Sequence, residues 1–132
     1  MFATQFARFA IFVVYFWFGI LKVVGESPAT ALIEQLYNRT MPIMPFATFL
    51  ILFGIFEMAL GLLVLFSRAT KVTTVFIAIH LIMTAGPLVL LPAATWSGAF
   101  VPTLEGQYII KNILIVSVLL YLFPSRKVGG GR

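Results

Sequence analysis

Four long apolar runs divide the chain, and short polar segments separate them. The runs cover Ala7–Val24, Phe46–Phe66, Val72–Leu91 and Gln107–Phe123. Each is close to the ~20 residues with which a helix crosses the ~30 Å hydrocarbon core of a bilayer. In that core each backbone amide must find its partner inside the protein, which a helix achieves within a single segment. The pattern therefore predicts an all-α membrane protein, a bundle of four transmembrane helices. Gly86-Pro87 interrupts the third run and predicts a local break, because proline removes a helical N–H.

The segment between the first two runs has a different period. Ser27 is a candidate N-cap and Pro28 a candidate first helical residue. Leu32, Ile33, Leu36 and Tyr37 share one helical face, while Glu34, Gln35 and Asn38 share the other. This predicts a short amphipathic helix over Ser27–Asn38, lying on the membrane surface. Pro42 and Pro45 then redirect the chain into the second span. Trp96, in the loop Pro92–Glu105, suits an interfacial anchor. No repeat divides the chain, so residues 1–124 read as one transmembrane domain and residues 125–132 as a short, basic, disordered tail. The first run is too long for a cleavable signal, and no small-residue cleavage pattern follows it.

Composition agrees with this pattern. Of 132 residues, 61% are hydrophobic and 10% charged, against about 25% charged in soluble domains. The mean hydropathy is +1.09. The net charge of +5 arises from nine basic residues against four acidic ones. In a soluble chain that excess would suggest nucleic acid. Here the basic residues sit at the ends of apolar runs, which points to lipid headgroups and membrane orientation and away from nucleic acid. Arg8, Arg68, Lys71, Arg126, Lys127 and Arg132 fall on one side of the four-span arrangement, and Lys22, Arg39 and Lys111 on the other. The asymmetry predicts cytoplasmic N- and C-termini. The absence of cysteine excludes disulfides, thiolate metal sites and iron–sulfur ligation. Any redox electrons must travel on a bound cofactor or substrate.

One residue breaks the apolar pattern sharply. Glu57 is the only charged residue in Phe46–Phe66, and a carboxylate facing lipid at the centre of a span costs roughly 2.5–3.5 kcal/mol on insertion scales. It must face protein or water and needs a partner. From the ~1.5 Å rise per residue, Glu57 lies about 16 Å from one membrane face, and His80 and Tyr15 about 14 Å and 11 Å from the other. His80 is the only histidine. Helical spacing groups Gly54, Glu57 and Gly61 on the second span, and Thr73, His80 and Thr84 on the third. It also groups Arg8, Phe12, Tyr15, Gly19 and Lys22 on the first span, and Tyr108, Lys111 and Asn112 near the outer end of the fourth. These faces predict a polar pocket with Glu57, His80 and Tyr15 as catalytic floor. Lys22, Lys111 and Asn112 stand at its outer mouth as binding groups.

A Glu–His pair shares protons as a unit and suits a relay beside a quinone or other redox ligand. The two lysines would attract an anion such as an oxidised sulfur species. Two plainer readings stand beside these. Glu57 and His80 could do no more than fix helix register, and the lysines could snorkel to the interface or, for Lys22, pair with Glu26 at i+4. A single histidine makes a poor case for haem, and the chain offers no full ligand set for zinc.

These same residues carry a family resemblance. Phe18-Gly19-Ile20-Leu21-Lys22, Phe53-Gly54-Ile55-Phe56-Glu57 with Gly61, His80, and Leu104-Glu105-Gly106-Gln107-Tyr108-Ile109-Ile110-Lys111-Asn112 resemble the DoxX-like bacterial membrane proteins. The branch is that related to reactive-chlorine-resistance proteins, and the likeness runs over residues 8–123. It implies a four-helix protein of the bacterial inner membrane. Glu105, in the last of these stretches, is a further candidate substrate-binding residue beside Lys111 and Asn112. Founding members of the family are subunits of a thiosulfate:quinone oxidoreductase, and others are linked to thiol and oxidative-stress systems. The resemblance thus implies a redox-associated subunit that binds a quinone or a small oxidisable molecule. A non-catalytic accessory subunit of a larger respiratory or oxidative-stress complex, or a small transporter, are the alternatives. Partners would be the lipid bilayer, other membrane subunits, or further copies of the chain. The absence of cysteine, of a nucleotide motif and of a large extramembrane domain departs from a self-sufficient enzyme.

Overall fold

The computed structural model describes residues 1–66 and 70–123. The connection at 67–69 and the tail expected at 125–132 lie outside the described residues. The elements are α1 (Phe2–Val23), α2 (Thr30–Thr40), α3 (Phe46–Phe66), α4 (Thr70–Ala85), α5 (Pro87–Leu90) and α6 (Pro92–Thr95). They continue with β1 (Trp96–Gly98), β2 (Val101–Pro102), α7 (Leu104–Ile110) and α8 (Asn112–Leu122). Four helical stretches are long and apolar enough to cross a membrane: α1, α3, α4 with α5, and α7 with α8. The chain is an all-α, multi-pass membrane bundle.

The interruptions have local causes. Pro87 has no N–H to give, so the backbone of Gly86 turns back to Met83 O (3.2 Å) and α5 resumes with Leu90 N on Gly86 O (2.9 Å). At the other break, Leu114 N bonds Lys111 O three residues back, a tightened turn that separates α7 from α8. The loop before α7 holds a small antiparallel hairpin, β1 with β2, which the apolar pattern does not predict. Thr103 ties this loop to the bundle: its hydroxyl donates to Ala94 O (2.7 Å) and accepts from Gly106 N (3.2 Å), capping α7. The Trp96 indole N–H donates to Leu88 O at 3.0 Å.

The closest helix pair is α1 with α3, running antiparallel. At its centre two glycines face each other: a Cβ on Gly19 would lie 2.5 Å from Gly54 O, and one on Gly54 equally near Gly19 O. A Cβ on Gly61 would lie 3.2 Å from Phe12 O. Lipid supplies no hydrophobic drive between helices, so such backbone-to-backbone packing is how membrane helices associate. Toward the termini, Arg8 Nη1 donates to Val64 O at 2.7 Å, and the guanidinium lies 5.2 Å from the Phe123 ring centre. Ile11, Tyr15, Leu60, Val64, Ile77, Leu119, Leu122 and Phe123 form the buried core at that end.

The amphipathic helix is present, with two differences from the sequence reading. Ser27 forms a turn instead of capping the helix: its hydroxyl accepts from Ala29 N (3.3 Å) and its carbonyl from Thr30 Oγ1 (2.8 Å). The helix therefore starts at Thr30. Its apolar face also turns inward. Leu32, Ile33 and Leu36 are half-buried and Tyr37 is buried, while Glu34, Gln35 and Asn38 are exposed. That face meets α3 and α5, so α2 roofs one end of the bundle. Tyr37 fixes it there. Its hydroxyl donates to Met44 O (2.6 Å) and accepts from Met44 N (2.8 Å), and its ring stacks on Phe49 at 4.4 Å.

Candidate functional site

The packed faces of α1, α3 and α4 bring four polar side chains into one hydrogen-bonded chain. Lys22 Nζ donates to Glu57 Oε2 at 2.6 Å. Glu57 Oε1 lies 2.8 Å from His80 Nε2, and His80 Nδ1 lies 3.2 Å from the Tyr15 hydroxyl. All four residues are buried, with exposures of 3% to 6%. Tyr15, Gly19 and Lys22 share the buried face of α1, and Gly54, Glu57 and Gly61 that of α3. The Gly19–Gly54 contact is the hinge of this arrangement, because it draws the two backbones close enough for the Lys22 ammonium to reach the carboxylate.

The donors and acceptors fit one direction of donation. An ionised carboxylate only accepts, so His80 Nε2 carries the proton toward Glu57. The neutral imidazole then leaves Nδ1 as acceptor for the Tyr15 O–H. This tautomer is assigned from the network. Lys22 supplies the counter-charge that a buried carboxylate requires. No buried side-chain nitrogen or oxygen among the described residues lacks a partner.

Aromatic rings surround the chain. Phe53 stacks on His80 at 5.5 Å and Phe49 stacks on Phe53 at 5.8 Å, which continues the Tyr37–Phe49 stack from α2 into the bundle. The Lys22 ammonium lies 5.5 Å from the Phe53 ring centre, within cation–π range.

A cavity of about 500 Å³ lies beneath α2, within the range of small-molecule sites. Leu32, Ile33 and Leu36 form its roof, Phe49 and Phe53 one wall, Ile82 and Met83 the other, and Lys22 and Glu57 lie at its deep end. Sequence reasoning overlooked this apolar wall, though a signal was present. Phe49, Phe53 and Glu57 follow one another at intervals of four residues, a single helical face leading to the carboxylate.

Of the seven candidate residues, the structure brings Glu57, His80, Tyr15 and Lys22 together. Lys22 belongs to the floor of the site and not to its mouth. It sits beside Gly54, eight residues inside α3, or about 12 Å from the start of that helix, because α1 ends below the level at which α3 begins. Asn112 stands one step away: its amide donates to Thr84 Oγ1 at 3.4 Å, and Thr84 lines the cavity. Lys111 and Glu105 do not line it. Lys111 is exposed at the corner between α7 and α8, its ammonium 5.5 Å from the Tyr108 ring centre. Glu105 is exposed in the first turn of α7. Among the described residues, no three of the His, Cys, Asp or Glu type gather as a metal site.

Compared with known proteins, the chain matches no family model, no curated protein and no solved structure.

Proposed function

We propose that this protein is a DoxX-like, redox-associated subunit of a bacterial inner membrane, with both termini cytoplasmic. It binds a quinone or small oxidisable molecule in the cavity under α2. The observation that carries this reading is the cavity's composition: apolar walls that end in Lys22 and Glu57, with Glu57 hydrogen-bonded onward to His80 and Tyr15. Reducing a quinone to a quinol takes two electrons and two protons. Lys22 would hold a carbonyl oxygen, and the Glu57–His80 pair would pass protons to it. The chain has no cysteine, so the electrons would come from a reduced donor bound elsewhere in a complex. General acid–base assistance of this kind contributes typically 10²–10⁴-fold to rate.

A second reading is supported by the complete internal pairing of the network: an accessory subunit in which the four residues pin helix register. Glu57→Gln separates the two. It keeps the shape of the carboxylate and one accepting oxygen but cannot exchange a proton. Its neutral amide also leaves the buried Lys22 ammonium without a counter-charge, so the melting curve of the complex is read first. On the redox reading, the folded, assembled variant loses quinone turnover by at least tenfold. Unchanged turnover in a stoichiometric complex would leave only the accessory reading.

A further inference from the structure

The sequence alone left two kinds of ligand in play, a membrane-soluble quinone and a water-soluble anion drawn to paired lysines. The geometry separates them. The lysine pair does not form, because Lys22 is inside the bundle and Lys111 outside the cavity. The charge of Lys22 is already met by Glu57 at 2.6 Å, so the deep end presents no net positive field. An anion leaving water for this wall would lose its hydration and find a neutralised ion pair.

The donors that remain are few. Of the cavity-lining hydroxyls, Thr40 donates to Leu36 O at 2.7 Å, Thr84 to Leu81 O at 3.1 Å and Tyr37 to Met44 O at 2.6 Å. Each is spent on backbone. The Lys22 ammonium has three N–H groups. One goes to Glu57 at 2.6 Å and one makes a long contact with Phe18 O at 3.5 Å, which leaves one for a ligand acceptor. Glu57 retains lone pairs that could receive a hydroxyl.

The cavity also reaches the lipid-facing surface. Ile82 and Met83 line it yet are 73% and 37% exposed, and both lie within the span Lys71–Leu90. Ile82 lies eight residues before Leu90, the end of that span, with the Gly86-Pro87 break between them. A wall residue exposed within a span borders hydrocarbon.

We infer that the cavity under α2 is loaded sideways from the bilayer, between α2 and α4, by an uncharged, membrane-dissolved molecule bearing a carbonyl-type oxygen, and that water-soluble anions are not its ligands. The inference rests on the proposed function and narrows its substrate class. The oxygen accepts from the free N–H of Lys22, and the apolar body lies along the Phe49–Phe53 wall beneath Leu36. In the reduced form of such a molecule, the hydroxyl donates to Glu57.

The test uses the full chain in detergent, with decylubiquinone and thiosulfate as separate probes and binding read by equilibrium dialysis at fixed detergent. Leu36→Trp fills the cavity from the roof without touching the polar chain, and its melting curve reports that it is folded. The expected result is saturable decylubiquinone binding that weakens at least tenfold in L36W and is not displaced by millimolar thiosulfate. Equal retention by wild type and L36W means that the quinone only partitions into detergent, and overturns the inference. So does a co-purified phospholipid that decylubiquinone fails to displace, since the cavity then holds a structural lipid. Thiosulfate binding without quinone binding also overturns it, while leaving the redox reading intact. Quinone binding with full turnover in E57Q has the opposite consequence: the ligand class stands and the proton-relay role falls.

Discussion

Glu57 shares its two oxygens between two different helices, one to Lys22 of α1 and one to His80 of α4. That division makes it the junction of the bundle, and it gives each partner a different energetic weight. Removing one member of a buried ion pair strands the other charge, whereas removing both leaves no unpaired charge and only the His80 N–H without its acceptor. Lys22→Met should therefore destabilise the protein by about 3 kcal/mol, and K22M combined with Glu57→Leu should recover part of the loss. Unfolding in detergent with a double-mutant cycle measures both. Additive losses in the double variant would mean that the two residues do not act as a pair. The involvement of Glu57 and His80 was legible in the sequence, because a lone charge in a span demands a partner and few polar groups share its depth. The role of Lys22 was not. Depth counted from the end of a hydrophobic run assumes that neighbouring helices end at one level, and α1 stops beside Gly54, well inside α3.

Among the elements, α1 and α3 act as one unit, and their glycines decide how close they come. A methyl at Gly19 would meet Gly54 O at 2.5 Å and Met58 N at 2.9 Å, both backbone atoms that cannot swing aside. Gly19→Ala should cost about 1–3 kcal/mol through forced separation of the helices and should weaken the Lys22–Glu57 pair that depends on this contact. Gly98→Ala, where the nearest atoms lie at 3.8 Å, should change stability little, and thermal unfolding of the two variants side by side checks the contrast. The glycine pattern around Glu57 announced a close neighbour without saying which helix it was, since spacing fixes a face and not its partner. Lys111 illustrates the converse limit. Its placement with Asn112 at the mouth of a pocket assumed one continuous helix, and the turn at Lys111 breaks that helix into α7 and α8. Face arithmetic does not survive such a break: Asn112 stays within reach of Thr84, and Lys111 points out.

At the scale of the whole molecule the two ends are unlike. The end that carries the N-terminus is a filled core with Arg8 bridging to the Val64 carbonyl. The other end holds the α2 roof, the cavity and the β1–β2 hairpin. The cavity therefore lies in one half of the bilayer, and the topology decides which leaflet it adjoins. Burial of Lys22 removes one basic residue from the α2 side. Lys22 counted against cytoplasmic termini when it was placed near a span end, but it is buried and paired with Glu57, so it no longer acts as a loop charge. On the α2 side, Arg39 and Lys111 remain as exposed basic residues, against the six basic residues that the sequence assigns to the other side. The bias should place the termini in the cytoplasm and the cavity toward the opposite face. The cysteine-free chain makes this directly measurable. Ala99→Cys in the hairpin and Ala3→Cys near the N-terminus are both at exposed positions. In intact cells a membrane-impermeant maleimide should label A99C, and A3C only after permeabilisation. Labelling of A3C alone in intact cells would invert the topology and turn the cavity toward the cytoplasm.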